Sequence, residues 1–175
     1  MFTKDAIRYS LDLADQSILR SLARIEDLPT TFPTPNGGCH PLWVVGHLAY
    51  VEGMAHQLLG IGGNPVADWA KFFEQETTPI ADAAQYPPLE EIRARYVELR
   101  KRTVQLLESL SEAELDTPTK FQPAGLEEHF ATYGRTMLTL ALHQMSHRSH
   151  ITDAVRAAGR PSELTTRLRA AGQRQ

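Results

Sequence analysis

Apolar residues recur every three or four positions through four long stretches of this 175-residue chain. A helix satisfies that period and a strand does not. In the first stretch, Ile7, Leu11, Ala14, Ile18, Leu22 and Ile25 form one stripe, which predicts a helix over 4–27. Pro29, Pro33 and Pro35 end it, and Asn36-Gly37-Gly38 make a turn-rich loop. The second helix is expected over 41–59, with Pro41 in its first turn and Gly60, Gly62 and Gly63 ending it. The third, 89–110, carries the seam Ile92, Tyr96, Leu99, Thr103, Leu106 and Leu110. That spacing is close to a coiled-coil repeat, with Glu and Arg outside. The fourth, 133–158, stops at Gly159 and Pro161, and 162–175 reads as a tail able to form a weak extra helix.

The connections are long. Pro65, Pro79, Pro87 and Pro88 divide the segment after the second helix, so short helices and loops are expected there. Ser111 is placed to cap a short turn, and the stretch DTPTKFQPAGLEEHF reads as a structured loop. No window alternates apolar and polar residues at strand length. The expected fold is all-α: a four-helix bundle with long crossover connections, formed by residues 1–175 as a single domain.

Composition removes several function classes. A hydrophobic content of 42% is that of a folded globular chain. The formal net charge of −3, with no basic stripe, argues against nucleic-acid binding. One cysteine, Cys39, excludes an intrachain disulfide and a cysteine-based zinc site. No apolar run is long enough for a membrane span, and the N-terminal stretch is amphipathic and unlike a signal peptide. The expected setting is cytoplasmic. Helices apolar around much of their circumference also leave surface for a second copy, so a homodimer is expected.

The chemistry-bearing feature is the pair His143 and His147 in LHQMSHRSHI. Four residues apart, they share one face of the fourth helix, where two imidazoles can hold one metal ion. His47, in the second helix, lies on an apolar stripe with Val44, Val51, Met54 and Leu58, beside Trp43. A buried histidine is commonly a hydrogen-bonded core residue, and a bare H-x3-H pair is commonly just surface or core. Three imidazoles from two helices would instead form a metal site with open positions. Tyr50, Glu52, Arg148 and His150 are candidate supporting or pocket residues. A solvated face is the plainer reading of Tyr50 and Glu52, and loop or surface positions that of His40 and His56.

The segment GHLAYVE around His47, followed far downstream by H-x3-H-R-x-x-I, resembles the DinB superfamily, which includes YfiT-like proteins regarded as metal-dependent hydrolases. The likeness spans most of the chain in order. It implies a helical bundle whose divalent metal is held by one histidine of the second helix and two of the last, here His47, His143 and His147. Many members have Gly-Gln where this chain has Ser149-His150, so a role for that glutamine does not carry over.

Such a centre suits zinc or nickel, with iron or manganese as further candidates. It could activate water for hydrolysis, or, as the resemblance implies, a low-molecular-weight thiol for transfer to a small molecule. Thiol transfer is preferred, because no strong general base is evident beside the histidines. The competing class is a non-catalytic metal-binding protein, in which a fourth protein ligand such as His150 or Glu52 would close the site.

Overall fold

The computed structural model describes residues 2–32, 39–161 and Thr165. The described residues are all-helical, with one isolated bridge between Pro118 and Thr132. Helix α1 spans Thr3–Ala23, α2 Pro41–Leu59, α3 the single turn Ala70–Phe73, α4 Leu89–Ser109 and α5 Tyr133–Ala157. Short 3-10 turns at Ala67–Trp69, Ala83–Gln85 and Ala113–Asp116 punctuate the long connections. The proline-glycine loop at 33–38 and the tail from 162, apart from Thr165, lie outside the described residues.

The long helices pair as their apolar faces require. α1 lies mainly on α5 and also meets α4, while α2 lies on α4 and α5. Consecutive α1 and α2 are therefore not principal partners, which is the crossover that the long connections permit. The predicted α1 stripe is inside: Ile7, Leu11, Ala14, Ile18 and Ile25 are all buried. α1 ends at Ala23 rather than residue 27. Beyond it, the amides of Ile25 and Leu28 bond three residues back, to Leu22 and Ile25. Tight turns replace the helical ladder just before Pro29, which disfavours helical geometry in its neighbour.

The α4 seam holds through Ile92, Tyr96, Leu99 and Thr103, then drifts: Leu107 is fully buried and Leu106 only half-buried. A straight helix of 3.6 residues per turn slips against a strict 3.5 repeat. α2 is the most enclosed helix, whereas α5 exposes Leu138, Leu142 and Met145 and is less central than its composition suggests.

A polar network runs through this core. Arg100 pairs with Glu52 at 2.7 Å and faces Asp15 at 3.8 Å. Thr103 donates to Glu52 at 2.5 Å, and Tyr96 donates to Asp15 at 2.7 Å. Burial opposes the charge of Arg100, but the two carboxylates outweigh it and hold its pKa above the usual value. Burial pushes Asp15 the other way, upward, against the pull of Arg100. Gln144 of α5 donates to the Tyr96 hydroxyl at 2.6 Å and to Asp15 at 3.3 Å. Since Gln144 is about 100° around the helix from His143, this anchor fixes the rotation of α5 and so the direction of its histidine face.

Arg100 and Glu52 correct the expectation that charged residues of α4 and α2 face solvent: both are buried. His56, expected on the surface or in a loop, is fully buried between the Leu99 carbonyl and the Thr103 hydroxyl, 3.1 Å from each.

Candidate metal centre

The site begins at the N-terminus of α2. His40 is not a surface residue but the buried N-cap: its Nδ1 accepts from the Trp43 amide at 3.1 Å, and its Nε2–H donates to the Ile80 carbonyl at 2.9 Å. Pro41 follows in the first turn, as expected. Trp43 is pinned by a 3.0 Å hydrogen bond from its indole N–H to Thr77. One helical turn further, His47 stacks on that indole, with ring centroids 4.7 Å apart and planes 9° from parallel.

The Nδ1–H of His47 donates to the Phe73 carbonyl at 2.7 Å. That carbonyl is available because α3 is one turn long, and the last carbonyls of a helix have no partner within it. Gly46 allows the approach: a Cβ there would lie 2.3 Å from the Phe73 ring. With Nδ1 protonated, the Nε2 lone pair points outward, the tautomer a metal ligand needs.

His143 and His147 meet it from α5. Their ring centroids are 4.5 Å apart, and those of His47 lie 5.2 Å from His143 and 4.7 Å from His147. One nitrogen from each of the three lies within 4.8 Å of the others. The Nε2 atoms of His47 and His143 are 3.3 Å apart. Two nitrogens bound to one zinc at the tetrahedral angle would stand about 3.3 Å apart. His147 keeps a buried Nδ1 with no hydrogen-bond partner.

Burial holds all three imidazoles below their ordinary pKa. The remaining causes are the neighbouring rings: His143 is lowered to about 4, with His47 beside it, and His147 to about 3, with His143, His47 and His150 beside it. His47 is lowered less decisively, because its bond to Phe73 opposes the effect of burial. Three neutral imidazoles facing one point could hold one divalent ion, since only the neutral ring is a ligand.

His47 and His143 open onto a cleft of about 530 Å³ between α2 and α5, and His147 lies behind them, outside its lining. Tyr50, Val51 and Met54 extend the wall from His47, and Leu140, Leu142 and Ser146 accompany His143. The loop joining α4 to α5 forms the roof through Leu126, His129 and Phe130. It is pinned by the Lys120 amide to the Leu58 carbonyl at 2.9 Å and closed on itself by Thr119, whose hydroxyl donates to Phe130 at 2.6 Å. Glu74, just after α3, reaches the same cleft. Together with burial, its charge raises the Tyr50 phenol, which therefore remains a hydroxyl donor.

The other nominated residues are distributed unevenly. Tyr50 is in the cleft, and Trp43 supports His47 from behind. His150 lies with its ring 5.7 Å from that of His147. Arg148 is half-buried on α5 and not among the cleft residues. Glu52 is turned about 140° from His47 around α2 and is spent on Arg100 and Thr103. Glu74 and His129 were not singled out from sequence. They come from irregular segments in which no periodicity marks a direction.

An all-helical protein with three histidines converging from its second and last long helices is the class defined so far. A model of the DinB superfamily matches residues 11–151, and the chain belongs to that superfamily. No curated protein matched the chain. Among the described residues, no helix is long and apolar enough to cross a membrane.

Proposed function

We propose that this chain is a divalent-metal-dependent enzyme acting on a small molecule, with His47, His143 and His147 as the metal ligands and thiol transfer as the reaction. The observation that carries the reading is the ligand count. Among the described residues, three side chains and no fourth form a cluster able to hold a metal, and a cleft adjoins it. A structural zinc takes four protein ligands, whereas a catalytic one leaves a position open. This count weighs against a non-catalytic, closed site.

When bound, zinc or nickel would supply Lewis acidity, favouring the thiolate form of a low-molecular-weight thiol. The protein's part is positioning. Phe73 and Trp43 hold the His47 ring, Gln144 sets the rotation of α5, and the Tyr50 hydroxyl is a donor at the cleft wall.

Hydrolysis would require a general base within hydrogen-bond reach. Glu52 is unsuited to it, being paired with Arg100. The proximity of His150 to His147 makes hydrolysis the second reading. Thiol chemistry goes with a reducing, cytoplasmic setting. A homodimer belongs to the same reading, since α1 exposes Tyr9 and Leu13 and α5 exposes Leu138 and Met145. The test is a thiol-consumption screen on metal-analysed, tag-free protein. Activity should disappear on chelation and in His143→Ala, and activity that survives both refutes the metal as catalyst.

A further inference from the structure

The cleft has a shape and a charge pattern that the metal ligands do not explain. From α2 it receives a single stripe, His47, Tyr50 or Val51, Met54 or Ala55, then Leu58. At 1.5 Å per residue this stripe runs for about 16 Å, with the histidine cluster at one end. The facing wall and roof are Leu140, Leu142, Leu126 and Phe130. Met54, Leu126 and Leu142 are 38%, 42% and 63% exposed, so the trench holds apolar surface that no side chain of the described residues fills. Large apolar surface left open in this way marks a binding site.

The charge pattern is one-sided. No Lys or Arg lines the cleft among the described residues, and Glu74 is the one carboxylate there. A carboxylate or phosphate on a ligand body would lose water without gaining a cation.

We propose that the trench is a subsite for the uncharged, elongated apolar body of a small molecule whose polar head sits at the histidine cluster. Only the placement of the head rests on the metal reading above. The body's site rests on the trench alone.

Straight-chain hydroxamic acids, from acetyl to decanoyl, titrated calorimetrically into zinc-loaded protein provide the test. Kd should fall about fourfold for each added methylene. A terminal carboxylate on the longest chain should weaken binding roughly tenfold. Leu142→Asp and Met54→Asp, at exposed positions that tolerate a polar group, should flatten the dependence on chain length.

The matching primary amides, titrated into chelator-treated protein, read the trench without any metal and should keep the same slope. Zinc binding with no chain-length dependence in either series overturns the proposal and leaves the metal reading standing. A slope in the amide series without zinc binding supports the trench and removes the metal reading. Terminal carboxylates binding as tightly as uncharged chains would overturn the proposed selectivity.

Discussion

Replacing Gly46 by alanine should weaken metal binding without touching a ligand. A Cβ at this position would stand 2.3, 2.4 and 2.5 Å from three atoms of the Phe73 ring. Ordinary carbon contacts need about 3.5–4 Å, so the ring or helix α2 must move by more than about 1 Å. The ring has no room to swing. Phe73 is fully buried, stacked on Tyr86 at 5.4 Å and flanked by Trp69 at 5.8 Å and Phe72 at 5.9 Å. The displacement therefore passes to the backbone, whose carbonyl accepts the His47 Nδ1–H at 2.7 Å. A shift of 1 Å ends that bond.

Overpacking of this kind costs about 1–3 kcal/mol of stability. Loss of the partner that orients a metal-binding histidine costs roughly 10–100-fold in metal affinity. Urea unfolding of metal-free protein reads the first, and a competitive zinc titration reads the second. Phe73→Leu in the Gly46→Ala background makes space and should recover much of both. Wild-type zinc affinity in a folded Gly46→Ala protein would refute the reasoning.

Three other outcomes follow from the same structure. Arg100→Met leaves Glu52, 1% exposed, without its cation; urea unfolding should show a loss of about 3–5 kcal/mol, much of it recovered in Arg100→Met/Glu52→Leu. His56 is held near pKa 4 by burial, with the charges of Arg102 and Arg100 adding to the effect. Its folded value lies below the unfolded one, so the unfolded chain binds the extra proton first, and the stability from neutral His56 is full above about pH 6.5 and lost as pH falls toward 4. Between pH 7.5 and 5, metal-free His56→Gln should lose about 2 kcal/mol less than the wild type in urea unfolding. Sedimentation at micromolar concentration should give a dimer, and a monomer would remove that part of the reading.

The sequence was most legible where one residue type at one spacing has one geometric meaning. The i, i+4 pair on α5 and His47 on the α2 stripe needed only helical geometry to be placed, and their convergence follows from α2 lying on α5. The starts of α2, α4 and α5 were equally plain, at residues 41, 89 and 133, and Pro41 and the Pro87-Pro88 pair mark the first two.

What escaped was decided by tertiary partners. Glu52, Arg100 and His56 look solvated one at a time, and only their mutual pairing makes burial tolerable. Glu74 and His129 reach the cleft from non-periodic chain, where position depends on anchors such as the Lys120 amide on Leu58. The early end of α1 depends on turn bonds that a hydrophobic stripe continuing to Ile25 conceals.

The central claim is that three histidines form one metal site with an open position. Its most direct test is a calorimetric zinc titration of tag-free, chelator-treated protein, run beside His47→Ala, His143→Ala and His147→Ala variants checked for wild-type helical content. The account predicts one zinc per chain in the wild type and the loss of that binding in every variant. Zinc binding that persists unchanged in any one of the three, or no stoichiometric binding in the wild type, would contradict it.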